Sequence, residues 1–139
     1  MEVEINLWAV LLATLASMVV GSVWYAPPVF GNWWMKAVDL TKEKAEKAGW
    51  KPIVISILTS LITAYVLAHV TYLSASFYTD VSFFAAALTS AFWVWLGFTA
   101  ARIVTHDVFE GRPTKLTALN LAHELVTLLA MGVVIGLMG

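Results

Sequence analysis

If the segment around Glu124 is helical, Thr117, Asn120, His123, Glu124 and Thr127 fall within an arc of roughly 120°, because successive residues turn by ~100°. The opposite side of the same segment, Ala118, Ala122, Leu125, Leu129 and Val133, is uniformly apolar. An acid, an imidazole, an amide and two hydroxyls on one face can exchange a proton or tie one helix to another. Asn120, His123, Glu124 and Thr127 are therefore the candidate polar site. Glu124 has two readings: a proton-exchanging group, or a neutral strut hydrogen-bonded to Asn120, Thr127 or a neighbouring helix that orients the bundle.

The elements that position this stripe are long and apolar. The runs Ile5–Tyr25, Ile53–Leu73, Val81–Ile103 and Leu116–Met138 fill most of the 139 residues. A helix rising ~1.5 Å per residue needs about 20 residues to cross ~30 Å of hydrocarbon, and each run has that length. Only 12% of the chain is charged, 60% is hydrophobic, and the mean hydropathy is +0.83. The expected fold is an all-α membrane protein: one domain over residues 1–139, built as an antiparallel four-helix transmembrane bundle. An intramembrane carboxyl costs at least ~2.5–3.5 kcal/mol, so Glu124 marks a functional-site hypothesis.

Net charge is −1, and nothing suggests nucleic acid as a partner. There are no cysteines, which excludes disulfides and thiolate chemistry. The acidic leader Met1–Glu4 is unlike a secretory signal, so the first run is expected to be retained as a helix. Lys36, Lys42, Lys44, Lys47 and Lys51 lie between the first two runs, and Arg112 and Lys115 between the last two. Basic connections stay in the cytoplasm, so the connections 26–52 and 104–115 are expected inside and both termini outside the cell membrane.

These depths also test metal chemistry. His69 lies about seventeen residues up the second run and His123 about eight up the fourth, a difference of ~14 Å that excludes a shared haem iron. His123, Glu124 and His106 form a poor chelate, because adjacent helical residues diverge by ~100°. No cofactor and no metal are expected. No nucleophile–base triad, phosphate loop or dinucleotide fingerprint is present, so no catalytic residue is assigned and no enzyme is expected.

Small residues at four-residue spacing, Ala9, Ala13, Ser17 and Gly21, predict a close-packing seam on the first helix. Ser82, Ala86, Ser90, Gly97 and Ala101 predict a second seam on the third. The hydroxyls Ser56, Thr59, Ser60 and Thr63 on the second helix read as a helix contact. Arg102 has two readings: a side chain that extends to lipid phosphates, favoured here, or a buried ion pair. Pro27 and Pro28 end the first helix, Phe30–Lys36 reads as an interfacial element, and Thr41 caps a short polar helix stopped by Gly49. Val29-Phe30-Gly31 and Val108-Phe109-Glu110-Gly111 form a faint duplication that suggests two helix-pair repeats.

Val23-Trp24-Tyr25, Pro28, Phe30-Gly31, Trp34-Met35 and Asp39-Leu40-Thr41, followed by Phe109-Glu110-Gly111-Arg112-Pro113, Asn120, His123, Leu125-Val126 and Met131-Gly132, resemble the small membrane family known as domain of unknown function 1761. The resemblance implies a four-helix protein of the prokaryotic cell membrane and no particular activity. It does not lead one to expect a glutamate after His123. Both motifs fall at the inner ends of helix pairs. Trp24, Tyr25, Phe30, Gly31 and Trp34 with Glu110, Gly111 and Arg112 are expected to pack as an inner cap, with Glu110 and Arg112 paired to each other or to Trp33-Trp34.

Two function classes follow. One is a structural or accessory membrane protein that binds lipid or a membrane partner, or forms a homo-oligomer. The other is a small proton-coupled transporter or channel that uses Glu124. They differ in whether the stripe on the fourth helix faces a hydrated cavity or a dry helix contact.

Overall fold

The computed structural model describes residues 3–139, and the leader residues Met1 and Glu2 lie outside them. The described residues hold seven α-helices, two π-helical turns and no strand. Helix α1, Leu7–Trp24, starts where the Asn6 side chain accepts from the backbone N–H groups of Trp8 and Ala9. It ends before Pro27 and Pro28, which open a π-helical turn, Pro27–Gly31. Two short helices follow: the aromatic-rich α2, Asn32–Ala37, and the polar α3, Lys42–Ala48. Thr41 caps α3 by accepting from the Lys44 N–H, and Gly49 stops it at φ 59°, as expected.

Helix α4 runs Lys51–Phe77 with Pro52 in its first turn. Helices α5, Phe83–Val94, and α6, Ala101–Phe109, are joined through a π-helical turn, Trp95–Ala100, into one continuous helix. Helix α7 runs Thr114–Met138. Four helices, Leu7–Trp24, Lys51–Phe77, Phe83–Phe109 and Thr114–Met138, are thus long and apolar enough to cross a membrane. The second and third of these end several residues beyond their apolar runs, because hydrogen bonding continues after the hydropathy falls.

The four long helices pack in a ring in which α1 and α5 each touch both α4 and α7, while α4 and α7 barely meet across the diagonal. Neighbours are antiparallel: Asn6 at the start of α1 donates to the Met138 carbonyl at the end of α7, and Tyr25 at the other end reaches Asn120. One end of the ring carries the termini. The other carries Lys36 to Lys51, Arg112 and Lys115, and is called the basic end below.

Small residues set the approach distances. Ala9, Ala13 and Ser17 are buried, as the α1 seam predicts. On α7 a β-carbon at Gly136 would meet the Phe84 ring at 2.9 Å and its Cα at 3.0 Å. At Gly132 one would meet the Ala87 carbonyl and Ala91 Cβ at 3.2 Å. The α5 seam holds at Ala86 and Ser90 and then fails: Gly97 has nothing within 4 Å and Ala101 is exposed. The π-helical turn changes the phase of the buried face, so that Ala100 and Asp107 are covered instead. In the same turn Trp95 donates its indole N–H to the Leu121 carbonyl, 3.0 Å away.

The buried cluster of Val10, Ala13, Ala64, Leu67, Ala68, Ala91, Leu128, Met131 and Ile135 lies in the half of the ring nearer the termini. Toward the basic end α4 leaves this cluster, and Lys51 through Thr59 are all exposed. Val29–Gly31 and Val108–Gly111, the stretches of the faint duplication, share no local conformation: one is π-helical, and the other leaves α6 through Gly111 at φ 67°.

Gly136→Ala should lower the melting temperature in detergent, at a cost of about 1–3 kcal/mol from overpacking against the Phe84 backbone. Gly97→Ala, with open space around it, should be neutral or stabilise by up to ~1 kcal/mol. Equal effects at the two positions would mean that the α5–α7 contact is not set by Gly136.

Candidate functional site

The polar face of α7 meets aromatic side chains and an open cleft. Asn120 lies six residues beyond the start of α7, and its Oδ1 accepts from the Tyr25 hydroxyl at 3.0 Å. One turn further, the His123 ring packs against Tyr25 and Trp24, with centroids 4.8 and 6.0 Å away. Trp24 in turn packs on Phe30, and Tyr25 on Trp34, each at 5.0 Å. This clustering needs the sharp return of the chain after α1. A β-carbon on Gly31 would collide with the Tyr25 carbonyl and with Ala26, so only glycine lets the π-helical turn fold back this tightly.

His123 is nearly covered, its side chain 14% exposed, and its Nδ1 lies 3.4 Å from Glu124 Oε1. Its Nε2 lies 3.4 Å from the Thr127 hydroxyl. Neighbouring helical residues diverge, yet the two side chains bend toward each other at their tips. Glu124 is ten residues past Thr114, or ~15 Å along the helix, which puts it near the middle of α7. It keeps 38% of its side-chain surface open, and that surface faces a cavity.

The cavity holds about 550 Å³ between α1, α4 and α7, where α4 stands away from the core. Ser17, Gly21 and Ser22 line it from α1, and Ser56, Thr59, Ser60 and Thr63 from α4. Helix α7 supplies His123, Glu124 and Thr127, with Leu128 and Met131 toward the core. Gly21 is part of the wall because its missing side chain leaves His123 Nε2 only 3.6 Å from where a β-carbon would stand. The α4 hydroxyls therefore face an opening, not the dry helix contact expected from sequence. No group of three or more metal-ligating side chains occurs among the described residues.

The aromatic and glycine positions that build this end of α1 are those that carry the family resemblance. Residues 8–136 match the family described as "Protein of unknown function (DUF1761)". The chain belongs to that family. No curated protein and no solved structure matches it.

The second group of motif residues in this DUF1761 member takes a different place. Arg112 Nε lies 2.6 Å from Glu110 Oε2 and 3.7 Å from Asp107 Oδ1. The Glu110 hydrogen bond and charge, with Asp107 behind them, push the Arg112 pKa above its ordinary value. Gly111 at φ 67° supplies the turn that brings the pair together. Glu110 and Arg112 thus pair with each other, and among the described residues no hydrogen bond or aromatic contact joins them to Trp33 or Trp34.

Sequence reasoning missed Asp107. Its carboxylate is buried at the end of α6 and accepts from the Thr117 hydroxyl at 2.6 Å, while its carbonyl accepts from the Arg112 N–H at 2.9 Å. It fastens α6 to α7. The signal available in the sequence was slight: an acid one helical turn past Ile103, where the third apolar run ends, and ten residues before the polar-stripe residue Thr117.

Thr117→Val should destabilise by about 1–3 kcal/mol, because it strips a buried carboxylate of a hydrogen-bond donor. Thr117→Ser keeps the hydroxyl and should melt near wild type. Identical melting of the valine and serine variants would show that this contact holds nothing together.

Proposed function

We propose that the protein crosses the cell membrane four times with both termini outside, and that it binds a small solute entering the Glu124 cavity from the cytoplasmic side. The lysine and arginine distribution supports the orientation, since all eight basic residues lie at or near the two connections of the basic end. Lipid covers the exposed leucine, isoleucine and valine side chains of the outer helix faces.

The observation that carries the binding reading is the cavity itself. In hydrocarbon a polar side chain must find protein partners or water. The stripe on α7 has some of each: Asn120 is tied to Tyr25, whereas Glu124 opens into a space that also collects the hydroxyls of α1 and α4. A strut would have been enclosed by the groups it holds. The apolar cluster from Val10 to Ile135 closes the ring nearer the termini, so the site is reached from one side. A volume of about 550 Å³ is in the range of small-molecule sites, ~300–1,000 Å³.

The chain contains no cysteine, so single cysteines report access cleanly. Thr63→Cys should react with a membrane-impermeant thiol reagent in inside-out vesicles and stay unreactive in right-side-out ones. Ile62→Cys, next to it but on the exposed apolar face of α4, should resist from both sides. An unreactive Thr63→Cys in both preparations would remove the hydrated cavity, and with it the binding reading. Reaction only from outside would invert the orientation.

A further inference from the structure

Five of the six serine and threonine hydroxyls that α1 and α4 bring to the cavity share a property that follows from where their protons go; the sixth, Ser60, makes no such bond among the described residues. Ser17 donates to the Thr14 carbonyl at 2.7 Å, and Ser22 to the Met18 carbonyl at 2.7 Å. Ser56 donates to Pro52 at 2.7 Å, Thr59 to Ile55 at 3.0 Å, and Thr63 to Thr59 at 2.9 Å. Each of these protons is spent on the residue's own helix, a habit of serine and threonine in apolar helices. A hydroxyl has one proton and two lone pairs, so what these side chains present to the cavity is acceptor oxygen.

The rest of the wall behaves alike. The Tyr25 proton is committed to Asn120. His123 turns Nδ1 to Glu124 Oε1 and Nε2 to the Thr127 hydroxyl, each 3.4 Å away, so both ring nitrogens face protein groups. Glu124 adds a carboxylate whose other oxygen has no partner among the described residues. No lysine or arginine lines the space, and the unpartnered Trp24 indole N–H is not part of its wall. Met18, Ile53, Leu128 and Met131 complete the lining with apolar surface.

Such a wall is rich in acceptors, poor in donors, and carries one negative charge beside an apolar flank. Resting on the binding reading above, we infer that the solute is an organic ammonium: a primary or secondary amine in its protonated form, with an apolar body. The cation pairs with Glu124, its N–H groups donate to the hydroxyl oxygens of Thr59 and Thr63, and its body lies along Met18, Ile53 and Leu128. A carboxylate or phosphate ligand would meet the Glu124 charge and lone pairs on most polar sides, with the Ser60 hydroxyl as the exception. A quaternary ammonium would satisfy the charge and leave the hydroxyls without donors. Away from bulk water the charge pairing is stronger than at a surface, so the preference should be large.

The test uses the full chain in lipid nanodiscs and four probes of similar body: phenethylammonium, its N,N,N-trimethyl analogue, 2-phenylethanol and 3-phenylpropionate. Binding is read by titration calorimetry. Phenethylammonium should bind at least about tenfold more tightly than either the trimethyl analogue or the alcohol, the size expected for hydrogen bonds to charged groups, and the carboxylate should not bind. Glu124→Gln, which keeps shape, should cost about tenfold or more in ammonium affinity, and Thr63→Val several-fold, both with unchanged melting. If the alcohol or the carboxylate binds as tightly as the ammonium, the ligand class is wrong. If the trimethyl analogue equals the ammonium, the hydroxyl acceptors play no part and the inference falls at that point. Absence of all binding while Thr63→Cys remains water-accessible overturns the ammonium assignment alone. Absence of binding with an inaccessible Thr63→Cys overturns the cavity as well.

Discussion

A carboxylate halfway along an apolar helix has two kinds of neighbour that can hold it, polar protein groups and water, and the arrangement around Glu124 is built from that constraint. On the membrane-spanning reading proposed above, hydrocarbon would supply neither a donor nor a dielectric response to a polar face of α7 turned outward. That face turns instead toward α1, where Tyr25 takes Asn120 and the Tyr25 and Trp24 rings cover His123. That contact requires α1 to end where it does. Pro27 and Pro28 end the helix, the π-helical turn reverses the chain, and Gly31 allows Phe30 and Trp34 to back the two rings. The aromatic motif is thus the support of the polar site.

Helix α4 shows the complementary half of the same constraint. Where it packs on α1 and α5, its buried residues are Ala64, Leu67, Ala68 and Thr71. Toward the basic end it carries Ser56, Thr59, Ser60 and Thr63 and stands away from the ring. The back-bonded hydroxyls of Ser56, Thr59 and Thr63 are tolerable there, because each of their protons is already satisfied within the helix and only lone pairs remain to be solvated. The diagonal pair α4 and α7 therefore leaves a gap lined by acceptors, while the alanine and glycine seams hold the rest of the ring closed.

Much of this was legible in the sequence, and the losses have specific causes. The four apolar helices, the α3 cap at Thr41 and the Ala9, Ala13, Ser17 seam follow from local rules that a single segment obeys by itself. The stripe on α7 was legible because helical phase alone aligns Asn120, His123, Glu124 and Thr127. What those residues face was not, since it depends on how far α4 leans out, a property of the whole ring. The α5 seam was extrapolated through Gly97 with straight-helix phase, and the π-helical turn at Trp95–Ala100 broke that phase. Asp107 escaped because it lies past the end of an apolar run, where charged residues ordinarily meet water, yet Thr117 and the Arg112 turn enclose it.

The account stands on water reaching Glu124 between α1, α4 and α7. Solid-state NMR of the wild-type protein in lipid bilayers measures this directly, through magnetisation transfer from water protons to side-chain carbons. Glu124 and Thr63 should build up signal as quickly as exposed residues of α3 such as Glu46, and far faster than Leu67 or Ile135 in the apolar cluster. Build-up at Glu124 as slow as at Leu67 would mean that the gap is closed or filled with lipid, and the carboxyl would then be a strut inside a dry bundle.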